Sequence, residues 1–177
     1  MPRLFTGLQI PGSICQELSL LRGGLNGAKW IEPESYHLTL RFIGDVDVAL
    51  ANDILDELAR TSCPQVTIAL DGLIEFGGNK PRAIAVRVQS DSRLIDLQAG
   101  QERAIRRAGA APETRKFIPH VTLARLRSVS PLAVADYLGS RTAFKPLTFQ
   151  AEQFVVYSSR ASRGGGPYVV EAAYPLG

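Results

Sequence analysis

The chain contains two histidines, and both open the same four-residue frame: His37-Leu38-Thr39-Leu40 and His120-Val121-Thr122-Leu123. Threonine accounts for 8 of the 177 residues. A threonine two places after both histidines therefore arises by chance in roughly one sequence in five hundred. Two imidazoles with pKa values near neutral suit displacement at phosphorus, where one acts as general base and the other as general acid. Hydroxyls beside them can hydrogen-bond the non-bridging phosphate oxygens as charge builds up.

The spacing specifies how such groups are presented. Both frames read as strands, in which alternate side chains share a face. His37 and Thr39 point one way, with Leu38, Leu40 and Phe42 on the other side. His120 and Thr122 repeat this, with Val121 and Leu123 behind them. Imidazole and hydroxyl then lie about 7 Å apart along each strand. Strict alternation places Arg41 on the His37 face and Arg125 on the Val121 side.

The doubled frame and its flanks resemble the two-histidine phosphoesterase superfamily. Within it they are similar to the RNA 2′,3′-cyclic phosphodiesterases, also called 2′-5′ RNA ligase-like proteins. The resemblance rests on Tyr36-His37-Leu38-Thr39-Leu40-Arg41-Phe42-Ile43-Gly44-Asp45 and on Phe117-Ile118-Pro119-His120-Val121-Thr122-Leu123-Ala124-Arg125. It extends to the opening Arg3-Leu4-Phe5-Thr6-Gly7-Leu8. It also covers the tail, Phe154-Val155-Val156-Tyr157-Ser158-Ser159-Arg160 followed by Gly164-Gly165-Gly166-Pro167-Tyr168. It implies hydrolysis of RNA 2′,3′-cyclic phosphate ends to 2′-phosphate ends, with His37 as proton donor and His120 as proton acceptor. Thr39 and Thr122 would bind the phosphate, and Arg41, Arg125 and Tyr157 are candidate substrate contacts. No cofactor or metal is implied. The same histidines could run the reaction backwards and make a 2′-5′ linkage. The partner implied is RNA with a cyclic phosphate end, tRNA fragments included.

Composition sets the frame for this reading. A length of 177 residues fits a single domain over 1–177, with enough chain for a buried core. Hydrophobic residues make up 45% and charged residues 21%, the balance of an ordinary globular protein. The net charge of +3 mildly favours a polyanionic partner. No apolar run reaches membrane-spanning length, and the strand-like opening segment does not read as a signal peptide. Cys15 and Cys63 are too few for a disulfide framework, so a cytoplasmic protein with reduced thiols is expected, and a lone domain of this size is expected to be a monomer.

Strands and helices are predicted to alternate along the chain. Strands are expected over 4–10, 36–43, 66–70, 83–88, 120–126, 147–158 and 168–174. A helix opens at Pro11, with Ile14, Leu18 and Leu21 on one face and Gly23-Gly24 as its stop. A second follows Asp47, carrying Leu50, Ile54 and Leu58 at helical spacing. A third spans 92–108 and leaves Arg103, Arg106 and Arg107 outside. Ser130-Pro131 caps a fourth. A His-x-Thr strand followed by a helix thus occurs twice, with the histidines 83 positions apart. The expected class is α+β. The resemblance adds two pseudo-symmetric lobes, each an antiparallel sheet with helices outside, facing a central cleft that carries both motifs.

Other chemistries find less support. Two histidines without a cysteine cluster fall short of the usual zinc set. No serine sits in a Gly-x-Ser-x-Gly elbow. Gly164-Gly165-Gly166 lacks the Gly-Lys-Ser/Thr of a nucleotide loop and reads as a hairpin that could bring Arg163 to a cleft. Arg93, Arg103, Arg106 and Arg107 read chiefly as a solvated helix face. Two alternatives stay open: an enzyme acting on a small cyclic phosphate or a 2′-5′ oligonucleotide, and a non-catalytic RNA-end-binding module.

Overall fold

A computed structural model describes residues 3–159 and 166–177. Arg160, Arg163 and the Gly164-Gly165 pair lie outside the described residues. The strands are β1 Arg3–Gln9, β2 Ala28–Trp30, β3 His37–Asp45, β4 Val66–Phe76 and β5 Ala83–Val88, followed by β6 His120–Leu126, β7 Leu147–Ala151, β8 Gln153–Ser159 and β9 Tyr168–Pro175. The helices are α1 Gly12–Ser19, α2 Val48–Ala59, α3 Ser92–Arg107 and α4 Pro131–Gly139. Three helices begin at the caps their sequences supply. Asp47 accepts from the Leu50 amide (2.8 Å), Asp91 from Leu94 (2.9 Å) and Ser130 from Ala133 (3.1 Å).

All ladders are antiparallel, in the order β7-β4-β5-β6-β3-β1-β8-β9, with β2 also paired to β6. The order is symmetric about its middle, because the two motif strands β6 and β3 are central neighbours. Four strands lie to either side of that junction, which gives the two lobes. The lobes are not the two halves of the chain: the β4–β5 hairpin lies beside β6, and β8 returns from the C-terminal end to pair with β1. The lobes meet at one ladder pair, Leu38 with Val121. Further along β6, Ala28 to Trp30 of β2 take the place of β3.

A core behind the motif strands joins them. Leu38, Leu40, Val121 and Leu123 pack in one cluster with Leu94, Leu97, Ala104 and Ile105 of α3 and Ile54 and Leu58 of α2. Arg103, Arg106 and Arg107 stay exposed, as the helical pattern predicts. Three expectations need correction. Helix α1 ends at Ser19, four residues before Gly23, although both glycines adopt the positive φ expected of a stop (91° and 78°). The predicted strand over 147–158 is two strands divided at Glu152. Strand β4 runs on to Phe76, where Gly77 turns the chain at φ 111°; a Cβ there would meet the Lys80 carbonyl oxygen.

Candidate active site

Both motif strands begin with the same local geometry. In each, Nδ1 of the histidine meets the carbonyl oxygen two residues earlier: His37 with Ser35 (2.9 Å) and His120 with Ile118 (2.6 Å). A carbonyl only accepts, so Nδ1 carries the proton in both rings and Nε2 is the acceptor of the neutral tautomer. Nε2 of His37 lies 2.9 Å from the Thr39 hydroxyl, so these two groups bond directly and do not stand apart by the strand repeat of about 7 Å that their spacing predicts. The Leu38–Val121 register, continued one residue each way, sets His37 opposite Thr122 and His120 opposite Thr39. All four side chains line one cleft of roughly 840 Å³.

The strands then depart from simple alternation, and they do so identically. Gly7 pairs with Thr39 but Thr6 pairs with Arg41, so Leu40 is an extra residue in β3. Ala85 pairs with Thr122 but Ile84 pairs with Ala124, so Leu123 is an extra residue in β6. Such a bulge exchanges the faces of everything beyond it. Phe42 therefore turns into the cleft rather than away from it, and Arg125 lines the cleft rather than the Val121 side. Arg41 is turned out of the cleft and buried at 5% exposure against Glu102 of α3. The expectation that Arg41 shares the histidine face is corrected by this one inserted residue.

Tyr157, a candidate substrate contact that the sequence also allows as core, is buried. At 6% exposure it stacks beneath Phe5 (centroids 4.9 Å apart) and abuts His37 (5.4 Å). It forms the floor of the His37 pocket and is absent from the cleft lining. Burial pushes its hydroxyl pKa up to about 12, so it stays protonated. Phe5 and Tyr168 complete the aromatic surround of His37, each with its ring 5.0 Å from the imidazole. His120 has Phe76 at 4.6 Å. The sequence marks none of these three as site residues. Phe5 and Tyr168 occur in matching segments, but Phe76 reaches the site only through the length of β4.

This environment acts on the imidazoles in one direction. Burial holds the His37 pKa down at about 4; the Ser35 carbonyl opposes this, and His120 and Arg125 add to it. His120 is also held below its usual value, by burial first and by Arg125 in addition, against the pull of the Ile118 carbonyl. Both rings are neutral at pH 7. An incoming anion restores proton affinity to each. Arg3, Arg82, Arg115, Lys116 and Arg125 line the cleft, against a single carboxylate among the described residues, Glu113. Among the described residues, no three His, Cys, Asp or Glu side chains converge as a metal site. No helix among them is long and apolar enough to cross a membrane.

The arrangement matches known proteins. Residues 8–86 and again 84–168 match the family described as LigT like phosphoesterase, which puts the internal duplication on a firm footing. A protein of Aeropyrum pernix named RNA 2′,3′-cyclic phosphodiesterase is 37% identical over 106 residues, 59% of this chain and 60% of that protein. One of the same name from Aquifex aeolicus is 28% identical over 154 residues, 84% and 82% of the two chains. Among solved structures, E. coli LigT complexed with 3′-AMP superposes with a TM-score of 0.78 at 22% identity, covering 99% of each chain. A protein of Thermus thermophilus gives 0.79 at 23% identity, covering 98% of this chain and 97% of that one. With two copies of the family pattern spanning nearly its whole length, the chain belongs to the LigT-like phosphoesterase family.

Proposed function

We propose that the protein opens 2′,3′-cyclic phosphate ends of RNA to 2′-phosphates by acid–base catalysis between its two histidines. The observation that carries this reading is the matched geometry of the two rings. Each is fixed through Nδ1–H to a backbone carbonyl, each has Nε2 as its working nitrogen, and each is accompanied by a threonine of its own strand in one cationic cleft. Binding alone requires neither a proton donor nor a proton acceptor.

In the reaction so proposed, Nε2 of His120 takes a proton from water as the water oxygen bonds to phosphorus. The bond from phosphorus to O3′ breaks, and Nε2–H of His37 delivers its proton to that oxygen. A 2′-phosphate and a free 3′-hydroxyl result. Thr39 and Thr122 hydrogen-bond the non-bridging oxygens, and Arg125 balances their charge. The roles of donor and acceptor come from the family resemblance. His37 has the more strongly depressed proton affinity of the two, so its protonation accompanies binding of the phosphate anion. With a 5′-hydroxyl in place of water as the nucleophile, the same transfer would form a 2′-5′ phosphodiester and free the 3′-hydroxyl.

The test is turnover of a short RNA ending in a 2′,3′-cyclic phosphate, with EDTA present and the product end mapped. A 2′-phosphate is the expected product. Turnover confined to cyclic mononucleotides would keep the chemistry and replace the substrate; no turnover on either would leave an end-binding module.

A further inference from the structure

The connection from α3 to β6 forms one wall of the cleft, through Glu113, Arg115, Lys116, Phe117 and Ile118, yet residues 108–119 contain no helix or strand. Its anchor is the arginine that the bulge turned away. Arg41 uses its whole guanidinium: Nε donates to Glu102 (2.5 Å), one terminal nitrogen to the Phe42 carbonyl (2.6 Å) and the other to the Ala111 carbonyl (2.5 Å). The second oxygen of Glu102 accepts the amide of Glu113 (3.1 Å). Glu113 in turn takes Nε and a terminal nitrogen of Arg115 (3.1 and 3.0 Å) and the Arg115 amide (3.0 Å). The Arg115 guanidinium then lies 5.9 Å above the Phe42 ring. The contacts form a closed circuit that begins at the Phe42 carbonyl and ends at the Phe42 ring.

A buried ion pair contributes little net stability once desolvation is counted, whereas its directional bonds fix geometry. What this pair fixes is a loop bearing two cations. Arg115 is held flat by a two-point contact with its side chain 72% exposed, and Lys116 has no ion-pair partner among the described residues. Neither belongs to the His-x-Thr frames.

We infer that Arg41 and Glu102 are positioning residues for the RNA strand that leads into the cyclic phosphate. They hold Arg115 and Lys116 where the phosphates of the preceding nucleotides pass along the cleft. The inference rests on the proposed RNA-end activity and narrows its substrate to oligonucleotides rather than mononucleotides. A cyclic mononucleotide has no preceding phosphate, so it gains nothing from the anchored loop.

The test uses Glu102→Gln and the double variant Arg41→Met/Glu102→Met. The double variant replaces the buried pair by apolar side chains that such sites accept without unfolding. Hydrogen exchange at the amides of residues 111 and 113–116 and kinetics on 2′,3′-cyclic AMP and on a short cyclic-phosphate-ended RNA are measured. Both variants should exchange faster in the loop and show a KM for RNA raised by about tenfold. The kcat on RNA and both constants on cyclic AMP should stay within about twofold of wild type. Unchanged loop exchange overturns the anchoring, and an equal loss on both substrates overturns the strand role. A wild-type protein that opens neither substrate overturns the functional reading itself, a failure visible before any variant is made.

Discussion

Phe42 and Arg125 occupy equivalent positions in the two lobes. Each lies five residues after its histidine, each follows an extra residue in its strand, and each faces the cleft. One position is aromatic and the other cationic, so the duplicated frame is symmetric in its histidines and threonines and asymmetric in what surrounds them. That asymmetry gives the two histidines different settings on equivalent scaffolds. It also explains why Arg125 influences both imidazoles while Phe42 has no counterpart effect.

Removing Arg125 should therefore change both the rate and its pH dependence. Its charge depresses both histidines, so Arg125→Gln raises their proton affinity. On the mechanism proposed the base must be neutral in the free enzyme, so the acid limb of kcat/KM should move to higher pH. Loss of the charge opposite the phosphate should cost about a hundredfold in kcat/KM. A pH–rate profile of the variant with unaltered limb and height would contradict this.

The two threonines should separate by spectroscopy. Thr39 bonds Nε2 of His37; Thr122 has no side-chain hydrogen bond among the described residues. On the mechanism proposed, Thr39→Val and Thr122→Val each lower kcat by about ten- to a hundredfold. Only Thr39→Val should move the NMR titration of His37. Equal movement in both variants would mean that the bond to Thr39 does not hold the ring.

Burial of His37 also makes stability depend on pH. Its folded pKa of about 4 lies below the reference value of 6.5. Between these values the unfolded chain binds a proton that the folded protein excludes. Stability is thus retained above pH 6.5 and declines as the pH falls through that window toward 4. The decline attributable to His37 is up to about 3 kcal/mol. His37→Asn should lose less stability than wild type between about pH 7 and pH 4.5 in urea titrations, and parallel losses would contradict the assignment.

Gly7 pairs with Thr39 across β1 and β3, in contact with the residue that joins the lobes. A Cβ at Gly7 would stand 2.8 Å from the Leu38 carbonyl oxygen and 3.2 Å from the Tyr157 ring. Gly7→Ala should cost about 1–3 kcal/mol, because the nearer obstacle is backbone rather than a mobile side chain. Thermal unfolding checks it, and an unchanged Tm would show that β3 can yield.

Part of this site is legible in the sequence because strand periodicity is reliable over short distances. Each threonine stands two positions after its histidine, and alternation places them correctly. It fails at Arg41, Phe42 and Arg125 because Leu40 and Leu123 are ordinary strand residues that carry no mark of a bulge. The duplicated strand–helix order is readable, but the exchange of the β4–β5 and β8–β9 pairs between the lobes is a matter of long-range pairing. Strand β2 is not, because Ala28–Trp30 is too short to show a period. Arg115 and Lys116 stand shortly before the second motif, where a basic pair is visible. Their place in the cleft depends on Arg41, more than seventy positions earlier in the chain.

The central claim, that two histidines divide the proton transfers, is tested most directly by changing the leaving group. His37→Ala and His120→Ala are assayed on an RNA 2′,3′-cyclic phosphate and on its analogue with sulfur in place of the 3′-oxygen. Sulfur departs without protonation, so it relieves the need for an acid but not for a base. Each variant should lose about a thousandfold on the oxygen substrate. His37→Ala should regain most of its rate on the sulfur analogue, and His120→Ala should not. Full activity of either variant on the oxygen substrate would contradict the two-histidine mechanism, and rescue of His120→Ala instead would reverse the roles assigned to the pair.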